Sequence, residues 1–155
     1  MALARFLARA RRAAGVDGNI NVVITSSREV RDLNRRFRGT DQPTDVLSFP
    51  VLPALQESSA GDIAISARIA AQNARQYGHG VGEELKILML HGILHLAGYD
   101  HERDNGHMGR KEQHFRRALG LSDSLIARNG RLGVSVRISG SRTTPKRRPS
   151  RGRTR

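Results

Sequence analysis

The chain has 155 residues and carries 27 Lys or Arg against 14 Asp or Glu, a formal charge of +13. That length suits a single domain with a real core. The absence of cysteine excludes disulfides and thiolate metal sites. No stretch reaches the ~20 apolar residues of a membrane span, and no signal segment is evident, so a soluble protein of the cytoplasm without a membrane partner is expected.

The charge is uneven. Residues 137–155 hold eight Lys or Arg and no acid, contributing +8 of the +13. Arginine, serine, glycine and proline there cannot bury enough apolar surface to offset ordering entropy, so residues 133–155 read as a basic, disordered tail and 1–132 as the domain. A net positive field favours polyanions, RNA above all, although a charge run by itself is most often a solvated tail.

Residues 2–14 place Leu3, Phe6, Leu7 and Ala10 on one stripe among arginines, predicting an amphipathic first helix ending at Gly15. An acid-free, Arg-rich start also suits an organelle transit peptide, but the segment has no serine. Residues 20–25 are short and β-branched, a first strand. Ser26 or Ser27 then caps a helix carrying Val30, Leu33 and Phe37. Residues 45–49 read as a second strand stopped by Pro50, and 51–60, with Pro53 and adjacent serines, as a loop beside the site. Residues 62–65 are a third strand, and 66–77 a helix with Gly78 as its C-cap. Residues 82–97 are apolar nearly all round, which predicts the central, buried helix. Residues 107–119 form the last helix, closed by Gly120.

The chemistry gathers in residues 91–101, H-G-I-L-H-L-A-G-Y-D-H. On a helix, His91 and His95 project from one face. Gly98 can adopt the left-handed conformation, turning the chain so that His101 approaches the same point. Three neutral imidazoles on such a corner suit one zinc ion with a fourth position open to water. Chance spacing on an apolar helix is the bland alternative, and a third histidine with glycine in the gap argues against it. The same spacing occurs in metzincin peptidases, which carry a glutamate base directly after the first histidine. Here that position is Gly92, which cannot accept a proton.

Three blocks carry a family likeness: L-N-R-R-F-R-G at 33–39 with T-D-V-L-S-F at 44–49, G-D-I at 61–63, and the histidine motif. In order and spacing they resemble the YbeY family of bacterial endoribonucleases over about residues 20–120. The resemblance implies an α/β fold, a small sheet of about three to four strands with about five helices and the metal on the buried helix. It also implies metal-dependent cleavage of single-stranded RNA, in 16S rRNA 3′-end maturation and ribosome quality control, with ribosomal RNA and the small ribosomal subunit as partners. It assigns zinc to His91, His95 and His101, and a nuclease role to Arg38. Family members usually have a strand before the first helix, which leaves room for a missing sheet edge here; the basic tail lies outside the family pattern.

Around that site, Arg38 supplies a planar cation able to bind phosphate through two hydrogen bonds. Asp100 is as suited to orienting a ligand as to capping the loop. Tyr99 is expected to pack beneath the metal rather than stack on a base. Glu84, about 10 Å along the helix from His91, favours the helix N-terminus more than it serves as a base. His107 and His114 read as structural or solvent-facing. The competing readings are another zinc hydrolase, including a peptidase, and a non-catalytic ribosome assembly factor with a structural zinc.

Overall fold

In the computed structural model, which describes residues 2–52, 58–100 and 103–122, the chain runs α1 (Ala2–Ala13), β1 (Asn19–Thr25), α2 (Ser27–Arg38), β2 (Val46–Pro50), β3 (Ser59–Ser66), α3 (Ala67–Tyr77), α4 (Val81–Leu96) and α5 (His107–Leu119). The α/β architecture expected from sequence holds, with five helices and three strands among the described residues.

Capping residues set the helix ends. Ser26 accepts from Glu29 N at 3.2 Å at the start of α2, and Ser66 accepts from Ile69 N at 3.2 Å at the start of α3. The first residue of α2 is also tied to the cap of α3, since Ser27 Oγ and Ser66 Oγ lie 2.7 Å apart. Helices α3 and α5 end, as expected, on Gly78 and Gly120 in the left-handed conformation.

The sheet order is β1-β3-β2, with β1 parallel and β2 antiparallel to the central β3. Val46 pairs with Ile65 and Ser48 with Ile63, so these four share one face. That face meets α4, whose Ile87, Leu90, Ile93 and Leu94 are fully buried. Each such side chain contributes about 1.5–3 kcal/mol by leaving water. Around the same helix lie α1, through Phe6 and Ala10, together with α3 and α5. The opposite face of the sheet carries Phe49, Asp62 and Ala64 and is partly covered by α2.

Strand boundaries shift from those expected, by one residue in β1 and most at two places. Pro50 does not stop β2 but is its last residue, paired with Gly61; β2 is an edge strand, where a missing N–H is tolerated. Strand β3 begins at Ser59 rather than Asp62, because the chain before Asp62 pairs alongside Asn19 and Ile20. The middle of the expected 51–60 loop and the whole 133–155 tail lie outside the described residues.

Candidate metal centre and the adjoining arginine

Helix α4 brings His91 and His95 onto one face, one turn apart. Their rings meet edge to face with centroids 4.7 Å apart, and their Nε2 atoms are 3.1 Å apart. Behind His91, Nδ1 lies 3.3 Å from Glu112 Oε2 on α5. With Nδ1–H donating to Glu112, a neutral His91 carries its lone pair on Nε2, facing the point that His95 Nε2 also faces. Arg116 Nη2 donates to the other oxygen of Glu112 at 2.7 Å, and Arg116 Nη1 reaches the Ser122 carbonyl at 3.3 Å.

This chain of contacts governs the local charge. Burial opposes ionisation of Glu112, yet His91 and Arg116 outweigh it and hold the carboxyl down to about 2. Burial also opposes protonation of His91, but Glu112 and then Asp45 outweigh it, raising the imidazole above its usual value. Asp45 is itself buried, accepting from Val46 N at 2.9 Å and Asn73 Nδ2 at 3.2 Å.

Two nitrogens each about 2.0–2.1 Å from zinc at the tetrahedral angle stand about 3.3 Å apart. The observed 3.1 Å between the Nε2 atoms fits that geometry. A carboxylate on the second ring nitrogen is the usual support of a zinc-binding histidine. Gly98 has φ +94°, the left-handed turn expected after the helix. Among the described residues no group of three His, Cys, Asp or Glu stands together as a metal site; His101 lies outside them.

Arg38 ends α2 and reaches the sheet. Its Nη2 donates to the Ser48 carbonyl at 2.6 Å, and its Cζ lies 5.8 Å from the centroid of the Phe49 ring. Nε and Nη1 are buried with no acceptor among the described residues, and burial lowers the guanidinium pKa. Ser48 Oγ in turn donates to the Gly92 carbonyl at 3.1 Å. Arg38 is thus two hydrogen bonds away from the residue that follows His91.

Gly92 explains its own presence. A Cβ there would lie 2.9 Å from Ile63 Cδ1 and 3.0 Å from Ser48 Oγ, because this side of α4 is pressed onto the sheet. A glutamate at that position would enter the core.

Other expectations fall differently. Glu84 sits in the first turn of α4, as expected, and is fully buried there, with its Oε2 2.6 Å from His79 Nε2. The carboxylate behind His91 is Glu112, which the sequence reading passed over; Asp100 lies 3.9 Å from Arg103 Nε and accepts Arg103 N through its carbonyl at 3.2 Å. Tyr99 is half-buried against the core, with its ring centroid 5.5 Å from that of His107. His107 and His114 are exposed. Glu112 carried one signal: it sits on the apolar stripe of α5 between Met108 and Phe115, where a solvated acid has no place.

Comparison with known proteins agrees with the three sequence blocks. The family model for Endoribonuclease YbeY matches residues 2–120. A protein of that name from Koribacter versatilis is 57% identical over 126 residues, covering 81% of each chain. Another from Nautilia profundicola is 47% identical over 113 residues, covering 73% of this chain and 81% of that one. The solution structure of a Thermotoga maritima protein superposes with a TM-score of 0.54 at 36% identity, covering 76% of this chain and 78% of that chain. With a model matched across every helix and strand described above and a relative more than half identical, the chain belongs to the YbeY endoribonuclease family.

Proposed function

We propose that this protein is a zinc-dependent endoribonuclease that hydrolyses phosphodiester bonds in single-stranded RNA, with His91, His95 and His101 holding the metal and Arg38 binding phosphate. The observation that carries the reading is the convergence of the His91 and His95 Nε2 atoms, with Glu112 fixing the first ring from behind.

Zinc held by these histidines would supply a Lewis acid for phosphodiester hydrolysis. The protein's own groups do the rest. Glu112 holds a proton on His91 Nδ1 and so keeps Nε2 available as a ligand. Arg38 carries a cation with no carboxylate partner among the described residues, and a phosphate diester would supply a negative charge. Glu112 is committed to His91 and Arg116 and is therefore not the general base. Product ends separate the routes that remain: a 2′,3′-cyclic phosphate marks attack by the RNA 2′-hydroxyl, and its absence from the first product marks attack by water.

Family membership favours ribosomal RNA as substrate, in 16S 3′-end maturation and ribosome quality control in the cytoplasm, with the small subunit presenting the strand. Among the described residues no helix is long and apolar enough to cross a membrane. The eight basic residues of 137–155 would add salt-dependent, sequence-blind affinity for that RNA. The peptidase alternative loses ground further, since the position of its glutamate faces Ile63 rather than the histidines.

The test is cleavage of single-stranded RNA by metal-stripped protein before and after zinc is restored, beside His91→Ala. Cutting that returns with zinc and is absent from the variant supports the nuclease. Zinc bound at one equivalent without cleavage, even of RNA within ribosomes, would favour an assembly factor.

A further inference from the structure

On the sheet face turned away from α4 there is a cleft of about 630 Å³ between α2 and the strands. Leu33 and Phe37 of α2 form one side, Val23 and Ala64 the floor, and Phe49 and Arg38 one end. Phe37 is 53% exposed, an unusual cost for the last turn of a helix whose neighbouring positions are arginines. The two aromatic rings meet edge to face at 5.5 Å. Each lies beside a guanidinium: Arg36 Cζ is 5.6 Å from the Phe37 centroid and Arg38 Cζ is 5.8 Å from that of Phe49.

At another part of the rim, Asn21 Nδ2 donates to Asp62 Oδ1 at 2.9 Å. That bond leaves the second Asp62 oxygen and the Asn21 carbonyl as acceptors. The cleft therefore combines an aromatic surface, hydrogen-bond acceptors and a half-buried cation whose Nε and Nη1 have no acceptor among the described residues.

We infer that this cleft takes an unpaired nucleobase of the RNA substrate, stacked on Phe37, while the phosphate next to that base meets Arg38. The inference rests on the nuclease reading above and adds to it a base subsite. An apolar protein segment would cover Phe37 and Leu33 equally well, but it would leave the Arg38 cation without a counter-charge. A nucleotide supplies a π-face and an anion on one rigid unit. Exocyclic amino groups of a base are donors, matching the acceptors of Asn21 and Asp62. The preference for single strands then has a physical source: a base in a duplex has both faces occupied and cannot enter.

The chain contains no tryptophan, so Phe37→Trp places a single indole reporter in the cleft. Metal-stripped full-length protein carrying this change is titrated with a short single-stranded RNA, an abasic ribose-phosphate strand of equal length, and an RNA duplex. Indole emission reports stacking, and anisotropy of end-labelled strands reports binding. Quenching by the single strand alone is expected, and Phe37→Ala should weaken single-strand binding about tenfold while leaving the abasic strand unaffected. A single strand that binds by anisotropy yet leaves the indole signal untouched overturns the base subsite while the nuclease reading stands, as does equal quenching by the abasic strand. If no strand binds and wild-type protein holding zinc cuts no RNA, both fall.

Discussion

Glu112 stands 21 residues beyond His91, on a different helix, yet its Oε2 lies 3.3 Å from His91 Nδ1 and its other oxygen is held by Arg116 at 2.7 Å. The histidine is therefore held from α5 at Nδ1 while its Nε2 faces His95 on its own helix. Replacing Glu112 with Gln should weaken zinc binding about 10- to 100-fold, the usual effect of losing a carboxylate behind a ligand. Competition against a chromophoric chelator measures this directly, and affinity equal to wild type would remove Glu112 from the metal's support.

The same carboxylate should leave a mark on acid stability. Its folded pKa, down to about 2, lies below the ordinary value of 4.5, so the ionised form is favoured by folding. Its contribution is complete above about pH 5 and is lost as pH falls from there through 2. Thermal melts of metal-free wild type and Glu112→Gln should differ most above pH 5 and converge toward pH 2. A constant gap across that range would contradict the linkage.

Gly92→Ala should destabilise the fold by about 1–3 kcal/mol, the usual cost of overpacking a core contact. The added Cβ has Ile63 and Ser48 within 3.0 Å and nowhere to go without moving the helix from the sheet. Gly92→Glu should be worse and should yield no peptidase. Urea denaturation midpoints supply the check; an unchanged midpoint for the alanine variant would mean that α4 shifts freely.

Arg38→Met should reduce RNA cleavage by about 100-fold or more, as expected for a cation stabilising transition-state charge. Its effect on stability should stay within about 1 kcal/mol, because the guanidinium is partly desolvated with no carboxylate partner among the described residues. Arg38→Lys should recover little, since a single ammonium cannot reproduce the planar donor set. Single-turnover cleavage beside thermal melts separates the two effects, and equal losses in both would make Arg38 a structural residue.

Much of this arrangement was legible before any coordinates. Serine caps, glycine stops and the all-round hydrophobicity of α4 are local signals, and the helices fall within a residue or two of where they point. The pairing of His91 with His95 needs only the helical repeat. Sheet order was not legible, because β1 and β3 meet across about forty residues and nothing in either strand names its partner. Glu84 sits in the first turn of α4 as expected, but its burial was not legible, because only the fold brings His79 back to within 2.6 Å of it. Glu112 was missed for a similar reason: its partner lies on another element. Pro50 was read as a stop because its tolerance depends on β2 being an edge strand.

The central position of β3 has a consequence for synthesis. Among the described residues neither β1 nor β2 pairs with the other, and each takes β3 as its strand partner, the last of the three to leave the ribosome. Until residues 59–66 emerge, the nascent chain holds two strands without a neighbour, and no part of the sheet can be laid down stepwise. Helix α4, which covers the finished sheet, follows only one helix later. Sheet, covering helix and the two converging histidines therefore come into register within one short interval of translation.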